Sequence, residues 1–144
     1  MARIVSINKS EKRGVVKKPF TSGVLAADHG LRGDAHADGS HRQLSLLALE
    51  SYRKMEALGA KNLPFGAFAE NITTEGICLY ELPVGTKLLV GPCELEVTQI
   101  GKECHAGCEI SRITGDCVMP REGIFARILK GGEIHEGDII KIEE

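Results

Sequence analysis

A histidine and three of the five cysteines of the chain lie within one short segment: Cys104, His105, Cys108 and Cys117. Thiolate and imidazole groups bind soft and borderline metal ions such as zinc, and a thiolate is also a nucleophile. In a helix, Cys104 and Cys108 would share the side opposite to the apolar residues of the segment. The segment is therefore the first candidate for metal binding or thiol chemistry.

Three interpretations of this segment remain open on spacing alone. Cys104, His105, Cys108 and Cys117 together could form a structural zinc site, although the paired Cys-x-x-Cys motifs typical of such sites are missing. The interpretation of Cys104 and Cys108 as a redox pair has less support, because three residues separate the two cysteines instead of the usual two. Alternatively, Cys104 is a nucleophile or metal ligand whose pKa is lowered by Lys102 and His105.

The other two cysteines have apolar neighbours in the sequence. Cys93 alternates with polar residues, so that it shares one face of a predicted strand with Leu95 and Val97. Cys78 lies in the apolar run Ile77–Leu79. Both thiols are therefore predicted to be core residues.

A glycine-rich segment nearer the N-terminus concentrates charged and imidazole side chains, namely Asp28, His29, Arg32, Asp34, His36, Asp38, His41 and Arg42. Metal binding by Asp34, His36 and His41 would match no standard zinc or calcium spacing. Anion recognition fits better, because Arg32 and Arg42 offer bidentate donors and the glycines let backbone amides approach a ligand. The alternative is a solvated loop of turn residues.

Asn71 is the polar candidate in a second glycine-bounded segment, 65–77. Its amide has both a donor and an acceptor, which could recognise the edge of a heterocycle. An asparagine that stabilises a turn is an equally good interpretation.

Composition and charge limit the class of protein. A chain of 144 residues predicts one domain with a core that needs no metal or disulfide to fold. The odd number of cysteines and the polar start of the chain predict reduced thiols in the cytoplasm, and no apolar run approaches the length of a membrane span.

Basic residues, including Lys17 and Lys18, dominate 1–20, whereas acidic residues dominate from Gly131 onward; this asymmetry could attract a small anion. Without Trp and with 4% aromatic residues, single-stranded nucleic acid is not an expected partner.

The elements that must position these groups are mostly short strands. Strands are predicted at Arg3–Ile7, Gly23–Ala27, Gln43–Leu46, Thr86–Val90, Cys93–Ile100 and Asp138–Ile142. Ala48, Tyr52 and Met55 recur at helical spacing, and Gly59 can cap that helix. Gly91-Pro92 predicts a hairpin turn. This pattern favours a mainly β barrel that carries small helices.

Short motifs along nearly the whole chain resemble, in their order and spacing, those of the MOSC family, which is named for the C-terminal domain of molybdenum cofactor sulfurase. The motifs are Lys17–Pro19, Gly30–His36, Arg42–Leu47, Glu70–Ile77, Leu95–Gln99, Gly123–Leu129 and Gly137–Asp138. The chain looks like a small bacterial member made of a single MOSC domain over 1–144. Cys108 and Cys117 are additions to the simplest family pattern.

The resemblance implies a β-barrel that binds molybdopterin, the pterin form of the molybdenum cofactor. Cys104 takes the position of the cysteine that carries sulfur for the metal or coordinates it, and a soft thiolate suits a sulfur-rich metal centre. The phosphate of the cofactor would bind Lys17, Lys18, Arg32 and Arg42. The remaining predicted cofactor-binding residues are Asp34, His36 and Asn71.

These implications predict a cytoplasmic protein of cofactor maturation or sulfur transfer, with Cys104 as a thiolate or persulfide. The expected partner is a cysteine desulfurase or a molybdopterin-processing enzyme. Pyridoxal phosphate is not expected, because the chain has no room for a desulfurase domain of its own. The alternatives are a molybdenum-dependent reductase of N-hydroxylated compounds and a non-enzymatic module that binds cofactor or metal. Neither nucleic acid nor membrane is an expected partner.

Overall fold

The computed structural model describes residues 2–9, 18–34, 43–57, 59, 70–101 and 122–143. Eleven strands lie in these residues: β1 (Arg3–Lys9), β2 (Lys18–Phe20), β3 (Ser22–Ala26), β4 (Gly30–Leu31), β5 (Leu44–Ala48), β6 (Ile72–Glu75), β7 (Lys87–Val90), β8 (Cys93–Ile100), β9 (Ile124–Lys130), β10 (Gly132–His135) and β11 (Ile140–Ile142). They are accompanied by the helix α1 (Leu49–Ala57) and a short 3₁₀ helix (Leu79–Glu81). Neither of these helices has the length and apolar character needed to cross a membrane.

The strands form two sheets. Eight of them follow the order β11-β7-β8-β9-β5-β6-β1-β2, and the other three follow the order β10-β3-β4. Neighbouring strands are antiparallel except for β5 and β6, which run parallel. The helix α1 directly follows β5 and packs against both parallel strands. The predicted mainly β class is therefore confirmed.

The strands at the two sides of the larger sheet approach each other without forming a continuous ladder. Arg3 and Ile139 form an isolated bridge. The Ile4 amide donates to the Asp138 carbonyl, and the Ile140 amide donates to the Ala2 carbonyl, both at 2.9 Å. Within the described residues these contacts do not close the sheet, so the barrel remains a prediction.

The hydrophobic core lies on one face of the larger sheet. Its members include Ile4, Ile7, Leu46, Ile72 and Leu95, none of which is more than 1% exposed. On the opposite face α1 buries Tyr52 and Met55, as their helical spacing predicts. Side chains alternate between the two faces of a strand, so the residues next to Ile72 in sequence lie on the side of α1. This second face carries the polar residues of the candidate site.

Several predicted elements are observed with small shifts at their ends. The hairpin forms between β7 and β8 around Gly91, whose φ of 54° suits glycine. Gly59 has a φ of 111°, and its amide donates to the Glu56 carbonyl at 3.0 Å beyond the end of α1. Cys93 is buried, as predicted.

The prediction that Cys78 is a core residue is wrong, because its side chain is exposed. The strand β6 ends at Glu75, and Gly76 turns the chain with a φ of 85°. The 3₁₀ helix then begins at Leu79, so the apolar run does not continue as a strand. In this turn Leu79 is the residue that is buried, and Cys78 faces solvent beside the Tyr80 hydroxyl.

Candidate functional site

Only part of the predicted site lies in the described residues. Asp34, Asn71 and Arg32 are described in full, and Lys18 is described only as part of the backbone of β2. The predicted site residues outside the described ranges are Lys17, His36, Arg42, Cys104, His105, Cys108 and Cys117.

Asp34 and Asn71, which come from separate segments of the sequence, meet in the structure. Asp34 follows β4 after Gly33, whose φ of 82° turns the chain, and the Asp34 amide donates to the Leu31 carbonyl at 3.1 Å. The Asp34 side chain is buried, with 8% of the residue exposed. The Asn71 Nδ2 donates to the Asp34 Oδ2 at 3.1 Å. Two predicted cofactor-binding residues thus form one buried polar pair.

The amide of Asn71 is engaged on both sides by groups of the protein. Its Oδ1 accepts from the Ser45 amide at 3.0 Å and from the Ser45 Oγ at 3.2 Å. Its Nδ2 also donates to the Asn8 carbonyl at 3.3 Å. These bonds join β1, β5 and Asp34 just before β6 begins. They favour the interpretation of Asn71 as a stabilising residue, and any effect on a ligand would be exerted through Asp34.

Three segments outside the described ranges start or end beside this pair, and two of them, 10–17 and 35–42, hold predicted binding residues. Lys9 and Lys18, which flank the segment 10–17, are partners in the register of β1 and β2. Asp34 precedes the segment 35–42, and Glu70 follows the segment 60–69. The described ends of these segments thus converge at one end of the sheet.

Lys9, which lies in none of the sequence motifs, adds a positive charge to this site. Its Nζ lies 4.5 Å from the centre of the Phe20 ring. A Cβ added at Gly33 would lie 3.5 Å from the same nitrogen, so the ammonium group is close to the glycine turn. Arg32, which directly precedes Gly33 in this turn, is exposed. Two cations beside an exposed glycine turn can bind an anion such as a phosphate.

A fully buried carboxylate, that of Glu70, lies next to Asn71 in sequence. The Tyr52 hydroxyl donates to the Glu70 Oε2, and the Thr73 Oγ1 donates to the same oxygen at 2.8 Å. The Thr73 Oγ1 in turn accepts from the Asn8 Nδ2 at 3.0 Å. The role of Glu70 is not predictable from the sequence, because nothing in the local pattern distinguishes a buried glutamate from a solvated one.

The segment that contains the four predicted metal ligands begins and ends against α1 and the middle of β5. At its base the Gly101 amide donates to the Gly123 carbonyl at 2.6 Å. The Glu122 carboxylate accepts from the Ser51 Oγ at 2.7 Å and from the Lys54 Nζ at 3.1 Å. Leu46 of β5 pairs with Ile124 on one side and with Ile72 on the other. The base of the cysteine segment and the Asn71 pair therefore lie on opposite sides of one strand.

A surface groove of about 530 Å³ lies elsewhere on the molecule. It is lined in part by Arg3, Thr21, His135 and Glu136, and by none of the residues of the polar pair. The Arg3 guanidinium is already paired with Glu75, so this groove offers less recognition chemistry than the Asp34 end of the sheet. No cluster of three or more metal-ligating side chains occurs in the part of the chain that the structure describes.

Known proteins share this fold and, over most of the chain, its sequence pattern. The crystal structure of the YuaD protein from Bacillus subtilis superimposes with a TM-score of 0.81 at 15% identity, covering 99% of this chain and 96% of that one. The YiiM structures from Geobacillus stearothermophilus and Escherichia coli give TM-scores of 0.74 and 0.73 at 18% and 17% identity. All of this chain is covered in both cases, together with 76% and 70% of the YiiM chains. No curated protein matches the sequence. The sequence profile of the MOSC domain matches residues 33–141, and the chain therefore belongs to the MOSC domain family.

Proposed function

We propose that this protein binds the molybdenum cofactor at the Asp34 end of the sheet and acts in cofactor maturation or sulfur transfer in the cytoplasm. Membership of the MOSC family supports a role related to this cofactor. The observation that carries the proposal is the contact between Asp34 and Asn71 at 3.1 Å, because it joins two predicted binding segments beside the cations Lys9 and Arg32. The proposal includes closure of the larger sheet into a MOSC-type barrel.

The residues at this end of the sheet fit the organic part of the cofactor. Lys9, Arg32 and the backbone amide at Gly33 suit a phosphate, and the Asp34 carboxylate suits the N–H groups of a pterin ring. Further phosphate and pterin contacts are assigned to Lys17, Lys18, His36 and Arg42. When bound, the cofactor supplies a molybdenum centre, for which a thiolate is a suitable ligand.

Cys104 is the residue to which we assign the sulfur chemistry. As a thiolate it would attack the outer sulfur of a persulfide on a partner such as a cysteine desulfurase. One S–S bond then forms at Cys104 as the S–S bond of the donor breaks, and the donor leaves as a thiolate. The transferred sulfur is thereby held as a persulfide on this chain.

Anaerobic native mass spectrometry of the freshly purified protein tests cofactor binding directly, because a bound molybdopterin adds its own mass. Arg32→Ala should weaken cofactor retention by about 10- to 100-fold, since one charge-assisted contact contributes ~1.5–3 kcal/mol. Arg53→Ala is the matched control, because Arg53 is exposed on α1. Equal retention by the two variants would remove the glycine turn from the binding site.

The role of Cys104 is tested by Cys104→Ser, with Cys78→Ser as the control for an exposed thiol outside the proposed site. Transfer of labelled sulfur from a desulfurase persulfide, or coordination of molybdenum, should be lost in the first variant and kept in the second. Both variants should melt like the wild type. Full cofactor-dependent activity in Cys104→Ser would contradict the assignment.

A further inference from the structure

We propose that Glu70 is a positioning residue for the cofactor site, acting on Asp34 through Thr73, Asn8 and Asn71. The inference rests on the proposed function. It starts from the observation that Glu70 is fully buried and that its Oε2 accepts hydrogen bonds from the hydroxyls of Tyr52 and Thr73. Burial of a carboxylate costs solvation free energy, so the groups that donate to it are held in a defined orientation.

The Glu70 carboxylate determines the direction of the hydrogen bonds in the network, because an ionised carboxylate can only accept them. The Glu70 Oε2 accepts the single hydroxyl proton of Thr73, which leaves a lone pair of the Thr73 Oγ1 to accept from the Asn8 Nδ2. The Asn8 amide is thereby oriented with its Oδ1 toward Ser6, whose Oγ donates to it at 2.8 Å. Without the carboxylate, the Thr73 hydroxyl could rotate and donate to Asn8 instead, which would disfavour this orientation of the Asn8 amide.

Asn8 passes this constraint to the cofactor site through its backbone. The backbone amide of Asn8 donates to the backbone carbonyl of Asn71 at 2.6 Å, and the Asn71 Nδ2 donates back to the backbone carbonyl of Asn8 at 3.3 Å. The same Nδ2 donates to Asp34. A series of hydrogen bonds, joined through Asn8, therefore connects Glu70 to Asp34 and to the glycine turn before it.

Two single substitutions separate positioning from general stability. Thr73→Val removes the hydroxyl that joins Glu70 to Asn8 and keeps the size of the side chain. Tyr52→Phe removes the other hydroxyl that donates to the Glu70 Oε2, but leaves the connection from Glu70 to Asn8 in place. Thr73→Ser restores the connecting hydroxyl and serves as the rescue variant.

The first measurement is hydrogen exchange of the backbone amides of Leu31–Asp34 in the full chain without added cofactor. Thr73→Val should increase their exchange rates roughly tenfold, because local opening of this turn becomes easier. Tyr52→Phe and Thr73→Ser should exchange like the wild type. Equal exchange in all four proteins, or an equal increase in Thr73→Val and Tyr52→Phe, would overturn the positioning role.

The second measurement is binding of molybdopterin released anaerobically from a molybdenum enzyme, at a temperature well below melting. Thr73→Val should bind about tenfold more weakly than Tyr52→Phe. Failure of the wild-type protein to bind molybdopterin would contradict the proposed function, and the exchange data would still decide whether the connection from Glu70 through Thr73 positions Asp34. A change in exchange without a change in binding would overturn the inference that this positioning serves the cofactor site.

Discussion

The two cysteines in the described residues differ in exposure, and burial shifts the pKa of one of them. Cys93 is 1% exposed, and its burial raises its pKa. Cys78 is exposed, and its hydrogen bond to the Tyr80 hydroxyl holds the pKa of that phenol above its ordinary value. Thiol reactivity follows both access and thiolate fraction. Within the described part of the chain, Cys78 is therefore the thiol available to reagents.

Limited alkylation of the native protein should modify Cys78 and Cys104 well before Cys93. The physical reasons are the exposure of Cys78, the burial of Cys93, and the basic neighbours Lys102 and His105 of Cys104 in sequence. Peptide mass spectrometry at several times gives the order. Modification of Cys93 as fast as Cys78, or of Cys93 before Cys104, would contradict this prediction.

The raised pKa of Cys93 also predicts a pH dependence of stability. Burial, and secondarily the charge of Asp138, place the pKa of the folded state above the ordinary value of 9.0, whereas the unfolded thiol titrates near that value. The contribution to stability is thus complete below pH 9 and is lost as the pH rises toward the folded-state pKa. Between pH 7 and 10 the melting temperature should fall more steeply with rising pH for the wild type than for Cys93→Ala. Parallel curves for the two proteins would exclude this effect.

Single residues of the polar site differ in how far sequence predicts them. Asp34 and Asn71 were identifiable because glycines and charged residues surround them. Whether Asn71 contacts a ligand or supports the structure could not be identified from the sequence, because the answer depends on Ser45 and Asn8, which are distant in sequence. Lys9 likewise acquires its place beside Gly33 only through tertiary packing.

At the scale of elements, β6 contains two adjacent threonines with opposite surroundings. The Thr73 Oγ1 both donates and accepts hydrogen bonds. The Thr74 Oγ1 is equally buried but forms no hydrogen bond with any described residue. A buried polar group without a partner costs free energy, whereas a paired one does not.

Thr74→Val should therefore raise the free energy of unfolding by about 1 kcal/mol, because the methyl group replaces an unpaired hydroxyl of the same size. Thr73→Val should lower it by ~1–3 kcal/mol, because it leaves Asn8 without its acceptor. Urea denaturation of both variants measures the two predicted changes in the free energy of unfolding. A loss of stability in Thr74→Val comparable to that in Thr73→Val would show that its hydroxyl does have a partner.

Elements with a local signal were predicted, and elements stabilised by distant partners were not. The hairpin at Gly91 and the helix around Tyr52 follow from turn chemistry and helical spacing. The strand β10 does not follow from such a signal, because Gly132 and the charged Glu133 are typical of a loop in sequence. They form a strand through pairing with Leu25 and Val24 of β3. The prediction that Cys78 is buried was wrong because an apolar run does not reveal that Gly76 turns the chain.

At the scale of the whole molecule, the charge asymmetry of the sequence becomes a separation in space along β1. Lys9 lies at the end of this strand beside Gly33. The acidic turn that contains Glu136 and Asp138 lies at its start, where the Gly137 amide donates to the Ile4 carbonyl at 2.8 Å. A strand of seven residues spans roughly 20 Å. The arrangement favours approach of an anion from the end that carries the proposed phosphate site.

The thiols of Cys108 and Cys117 should not be needed for folding. The described core already joins β1, β5, β6, β8 and β9 through buried Ile and Leu side chains. A core of this extent is sufficient to stabilise a chain of 144 residues without a bound metal ion. The double variant Cys108→Ser/Cys117→Ser should therefore melt within a few degrees of the wild type, which corresponds to ~1 kcal/mol or less. Metal analysis of the purified wild type should find less than one zinc per chain. Stoichiometric zinc in the wild type, together with unfolding of the double variant, would instead show that Cys104, His105, Cys108 and Cys117 form a structural zinc site.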